Sequence, residues 1–118
     1  AENASAPVRA EVRAKAAEIG RLDGAGLDRT ELMRLDMSVH KLIYRAAGNA
    51  HLEDVLIRYD NLATRIWCLV IDKLPDLASH VREHTNLLSA IADGDAETAA
   101  QLTLEHVNSF ETAIRAVL

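Results

Sequence analysis

Aromatic residues are scarce in this chain, with one Trp, one Phe and two Tyr in 118 residues. A sequence so poor in aromatics, and without runs of Val, Ile and Thr, does not supply the strands of a sandwich or barrel. Only two prolines and five glycines are present, so helices have few forced breaks. One cysteine, Cys68, excludes an intramolecular disulfide, and no helical neighbour would activate it as a nucleophile. No apolar run reaches the roughly 18 to 20 residues of a membrane span. Runs of Lys or Arg are also missing, and with a net charge of -5 the segment is not expected to hold DNA by itself. Gly-rich phosphate loops, G-x-S-x-G and H-E-x-x-H do not occur, which removes the commonest signatures of nucleotide binding, acyl transfer and zinc proteolysis. The start lacks Met and any signal pattern, so Ala1 reads as a fragment boundary of a cytoplasmic protein.

What is abundant is Ala, Leu, Glu and Arg within a 49% hydrophobic chain, a composition that favours helix. The expected fold is all-α, an antiparallel bundle of about five to six helices forming one domain over residues 1–118. Ser5 and Pro7 suit the start of a first helix that ends near Gly20, followed by a loop from Arg21 to Leu27 containing Gly24 and Gly26. Asp28 and Glu31 form a capping-box pattern that opens a second helix. Gly48 and Asn49 mark a tight corner, and a third helix is predicted from Ala50 to about Leu74, where Pro75 stops it. At about 1.5 Å per residue that rod would span nearly 37 Å. A fourth helix is expected from about Asp76 to Ala92, and a fifth from about Ala96 to the end, with Gly94 and Asp95 between them.

Helical periodicity then ranks the polar residues. On the second helix Leu32, Leu35, Val39, Leu42 and Ala46 form an apolar stripe, and Asp36 and His40 share the face beside it at i, i+4 spacing. His84 falls near the centre of the stripe Leu77, Val81, Leu88, Ile91, while His106 is flanked by Leu102, Phe110 and Ala113. On antiparallel helices His84 and His106 stand at nearly equal heights, differing by roughly 3 Å. One inward histidine is ordinarily a satisfied core residue, but two of them facing a third histidine and a carboxylate make a metal site. Burying Asp36 unpaired would cost several kcal/mol, a cost that a divalent cation removes. His80 also pairs with His84 at i, i+4 but lies at the stripe's edge, where a surface or supporting role is expected, and His51 is expected to be solvated. Met33 and Met37 read as core. On the third helix Leu52, Leu56, Tyr59, Leu62 or Ala63, Ile66 and Val70 are predicted to face inward.

The segment L-D-M-S-V-H-K-L-I-Y-R-A-A-G-N-A-H-L resembles the D-x3-H signature and A-x-G-N corner of the FadR-type C-terminal (FCD) domain of GntR-family transcriptional regulators. R-E-H-T-N-L-L-S-A-I-A-D-G-D-A-E-T-A-A-Q-L-T-L-E-H is similar to the same domain's closing pattern, whose two histidines are 22 residues apart. The resemblance covers about Leu35 to the C-terminus. Val39 departs from the aromatic usually found there, the family's first long helix is shortened or missing, and no winged helix-turn-helix precedes the segment. The resemblance implies that Asp36, His40, His84 and His106 ligate a divalent ion, with zinc foremost and nickel, manganese or iron also compatible. It further implies a small carboxylate effector, a homodimer, and DNA contact only through a separate N-terminal domain. Arg65, Arg58 and Asn108 are the residues expected to meet the effector. A small metalloenzyme and a purely structural metal are the rival uses of the same ligands. The enzyme reading is disfavoured because no second carboxylate stands at helical spacing from the ligands to act as a base.

Overall fold

In the computed structural model, which describes residues 1–22 and 26–118, most of the described residues are helical, as the composition predicts. Helices α1 (Ala6–Gly20), α2 (Arg29–Ala46), α3 (Ala50–Val70), α4 (Leu77–Arg82), α5 (His84–Asp93) and α6 (Ala96–Val117) follow one another, and no strand occurs among the described residues. The Gly24 part of the expected loop lies outside them.

Short polar residues set the helix starts. Asp28 Oδ1 accepts from the Glu31 N–H at 2.8 Å while the Asp28 N–H donates to Glu31 Oε2 at 2.9 Å, completing the capping box at α2. Asn49, Asp76 and Asp95 cap α3, α4 and α6 in the same way, each accepting from a backbone N–H three residues on. Ser5 occupies the N-cap of α1 in extended conformation, but its side chain makes no capping bond. Gly48 and Gly94 take the left-handed conformation, with φ of 68° and 75°, at the ends of α2 and α5.

Two boundaries differ from the sequence reading. The α-helical ladder of α3 ends at Val70 and tightens into a 3-10 turn, Ile71–Lys73, before Leu74 turns extended ahead of Pro75. Arg29, from the first turn of α2, donates from Nη1 to the carbonyls of Ile71 and Leu74, covering acceptors that the helix end leaves open. The predicted fourth helix is two helices, interrupted at Glu83, although Glu83 keeps helical dihedrals of -55° and -28° and the path runs on.

Helix α1 lies against α5, α2 against α3, and α6 against α5, so the core forms where Val12, Ile19, Val39, Val81 and Leu88 meet. Arg9 ties α1 to the end of α5, donating to the carbonyls of Ala4, Ala1 and Ala92. Of the stripe predicted for α2, Leu32, Val39, Leu42 and Ala46 are buried and Leu35 is half-buried, and Asp36 is buried with them. On α3 the phase is different. Its inward residues are Asp60, Trp67 and Val70, with Leu56 and Ala63 half-buried, whereas Tyr59, Leu62 and Ile66 are exposed. Both series have helical spacing and lie about 100° apart, and the more hydrophobic one faces outward.

Gly94→Ala is expected to lower stability by about 1–2 kcal/mol, because a side chain there must hold a left-handed backbone. Its Cβ would also sit 2.8 Å from Arg9 Nη1. Thermal melts of the two proteins test this, and an unchanged melting temperature would contradict it.

Candidate metal centre

Three histidines from three helices converge between α2, α5 and α6. One donor atom from each of His40, His84 and His106 can be chosen so that all lie within 4.8 Å of one another. The partner of each ring's other nitrogen makes this more than proximity. His40 Nδ1 donates to Asp60 Oδ1 at 3.0 Å, His84 Nδ1 to the Val81 carbonyl at 3.1 Å, and His106 Nδ1 to Glu83 Oε2 at 3.2 Å. A carbonyl and two carboxylates can only accept, so each Nδ1 carries the proton and each Nε2 is left with its lone pair. The Nε2 atoms of His40 and His84 are 3.0 Å apart. Two lone pairs at that separation repel unless a proton or a cation lies between them.

Asp36 stands beside this group and is 3% exposed. Its Oδ2 is 3.7 Å from His40 Nε2, and its Oδ1 is 3.7 Å from His84 Nδ1 and 3.8 Å from His80 Nε2. None of these is a hydrogen bond, and Oδ1 is a buried acceptor without a partner in the protein. Burial pushes the Asp36 carboxyl up to about 6, against the pull of His40, with Asp60 adding to the rise. For His40 burial acts downward, but the Asp60 hydrogen bond and the Asp36 charge outweigh it and raise the imidazole above its ordinary value. His84 is held well below that value by burial, then by His106 and His40. The arrangement is a pocket of lone pairs with an orphaned carboxylate oxygen, and it fits a divalent ion with nitrogen and oxygen ligands.

His80 is neither at the surface nor remote. Its ring stacks on His106 with centroids 4.5 Å apart and meets Trp67 edge-on at 5.3 Å, and burial, with His106 and His40, pushes its pKa down to about 3. Together with Asp36, His40 and His106 it lines a cavity of about 260 Å³, whose remaining wall includes Leu56, Trp67, Val107 and Phe110.

Arg58, Arg65 and Asn108 do not line this cavity and are exposed. The reason is helical phase. Arg58 and Arg65 each precede an inward residue, Asp60 and Trp67, by two positions, which at 100° per residue turns them to the far side of α3. Asn108 follows His106 by two and is carried away likewise. Asp60 was missed by the sequence reading and is a second carboxylate at the site. Its signal was present: it is the one acid in the series Leu56, Asp60, Ala63, Trp67, Val70, where a buried charge needs a reason.

A family model described as the FCD domain matches residues 1–109. The chain belongs to the FCD-domain family. The match reaches back to residue 1 and so includes α1, farther than the motifs alone indicate. FCD domains are the ligand-binding domains of GntR-family regulators, which is the coarse function of this chain. Comparison with curated proteins and with solved structures gives no match. Within this FCD domain no helix among the described residues is long and apolar enough to cross a membrane.

Metal affinity is expected to rise with pH through about 6. Protons compete for His40 Nε2, whose pKa is raised, and Asp36, raised to about 6, must ionise to contribute its charge. Asp60→Asn keeps the size but weakens the grip on His40 Nδ1, and should lower metal affinity roughly 10- to 100-fold. Cobalt absorbance titrated against pH checks both effects, and binding that is flat from pH 5 to 8 would exclude these ligands.

Proposed function

We propose that this FCD domain senses a small carboxylic acid through a divalent ion, zinc foremost, held by Asp36, His40, His84 and His106. The observation that carries this reading is the set of three imidazoles anchored through Nδ1, with one donor atom from each within 4.8 Å of the others and the Nε2 atoms of His40 and His84 face to face. A divalent ion bound there supplies a positive, coordinatively open centre for a carboxylate. The chain's own residues do the rest. Asp60 and Glu83 fix the rings of His40 and His106, and Asp36 would lower the net charge of the centre to about one, which still favours an anion. The cavity wall includes no arginine or lysine, so the anion's selectivity rests on the ion, and Leu56, Ala63, Trp67, Val107 and Phe110 favour an acid with an apolar body.

The acid would touch α2, α3, α4 and α6 at once, and it biases a regulator only by binding one packing of those helices better than another. We read the output as control of a DNA-binding domain N-terminal to this segment, in a cytoplasmic transcriptional regulator. A regulator is favoured over a metalloenzyme because the chain belongs to a family of ligand-binding domains, although the added carboxylate, Asp60, spends only Oδ1 on His40 and the Tyr44 hydroxyl and keeps Oδ2 buried without a partner in the protein.

Self-association of two copies is part of this reading. Leu52, Val55, Tyr59, Leu62, Ile66 and Leu69 recur at steps of three and four along the outer side of α3, with exposures from 45% at Leu52 to 80% at Leu69. An uncovered apolar row of this length along one helix is the kind of surface that a second copy covers.

Calorimetric titration of the zinc-loaded domain with short monocarboxylates should show binding that chelation abolishes and that Arg65→Ala leaves unchanged. Acid binding that survives chelation would reduce the metal to a structural element. Leu62→Glu combined with Ile66→Glu should yield a monomer in sedimentation with metal content retained, and a persisting dimer would put the interface elsewhere.

A further inference from the structure

Trp67 is 3% exposed and its indole Nε1 is buried without a hydrogen-bond partner in the protein. The residue lines the same cavity as the histidine cluster, held edge-on between His80, at 5.3 Å, and Phe110, at 5.6 Å. An indole N–H has no alternative tautomer and can only donate, so its demand is for an acceptor. A buried donor left unmade weakens any complex that fails to meet it, and a site built around such a group rejects the analogue that lacks the matching atom. Of the cavity residues with side-chain oxygens, Tyr44, Tyr59 and Thr64 are hydroxyls that adapt to donor or acceptor and the ionised carboxylates of Asp36 and Asp60 accept, whereas Trp67 only donates.

We propose that Trp67 determines specificity, its N–H donating to a carbonyl or ether oxygen on the body of the acid whose carboxylate meets the metal. The ligand class is thus an oxo- or alkoxy-substituted monocarboxylate in which the acceptor stands several carbons from the carboxylate, clear of the metal. This rests on the sensing reading above, since the carboxylate end is placed by the ion.

The test uses matched pairs on the zinc-loaded protein, 4-oxopentanoate against pentanoate and 5-oxohexanoate against hexanoate. At least one oxo-acid should bind roughly 10-fold tighter than its methylene partner, and Trp67→Phe should abolish that advantage. Because Trp67 is the one tryptophan of the chain, its indole N–H gives a single resonance in a nitrogen-edited NMR spectrum. That resonance should move downfield with the preferred oxo-acid and much less with its partner, a readout on the unmutated protein that does not depend on Trp67→Phe folding. Equal affinities within both pairs, a preference that persists in Trp67→Phe, or an indole resonance that ignores the oxo group would overturn the role of Trp67 and leave metal-dependent sensing standing. If no acid of either pair binds, the sensing reading fails and this one with it.

Discussion

Two imidazole nitrogens facing each other at 3.0 Å, on rings that each spend the other nitrogen on an acceptor, are the constraint on which this structure turns. Such a contact is unfavourable by itself, and the fold holds it in place from three sides. His84 is fixed by the carbonyl of Val81, which belongs to the turn where the helix ladder breaks, so the interruption at Glu83 and the aim of the ring are one local event. His40 is fixed by an aspartate from the neighbouring helix, and His106 by a glutamate at the break itself. A site so prepared has its reorganisation completed before anything binds.

The same preparation makes the metal-free state electrically tense. His40 is drawn toward protonation by Asp60 and Asp36, while His84 and His80 are pushed away from it by burial and by one another. Asp36 meanwhile resists ionisation because it is buried without a donor. A proton on His40 Nε2 relieves its contact with His84 but leaves Asp36 Oδ1 without a partner, and a divalent ion at the focus of the rings would answer both.

Much of this was legible beforehand where periodicity was unambiguous. Asp28, Asn49, Asp76 and Asp95 mark helix starts because short acceptors at those positions have few other uses, and Asp36, His40 and His84 follow from the stripes beside them. What escaped was the rotation of α3. Two helical series share that sequence, and hydrophobicity alone selects the outer one, Tyr59, Leu62 and Ile66, because the inner one contains Asp60. That phase hid Asp60 and made Arg65, beside Leu62 and Ile66, look inward, whereas Arg58 was expected at the site only from the family resemblance. His80 was displaced for a related reason, since a residue at the edge of its own helix's stripe can still lie under a neighbour, and only the position of α6 reveals it.

Because α3 is stiff, its two sides cannot be treated as separate parts. Leu56, Asp60, Ala63 and Trp67 form a wall of the cavity, while Leu62, Ile66 and Leu69 stand on the surface a third of a turn away. On the sensing reading proposed above, a molecule that presses on the wall and rolls or slides the rod would carry the outer residues with it. The spacing that leaves α3 apolar on both sides would then make it an axle, passing a small shift inside the domain to its outside.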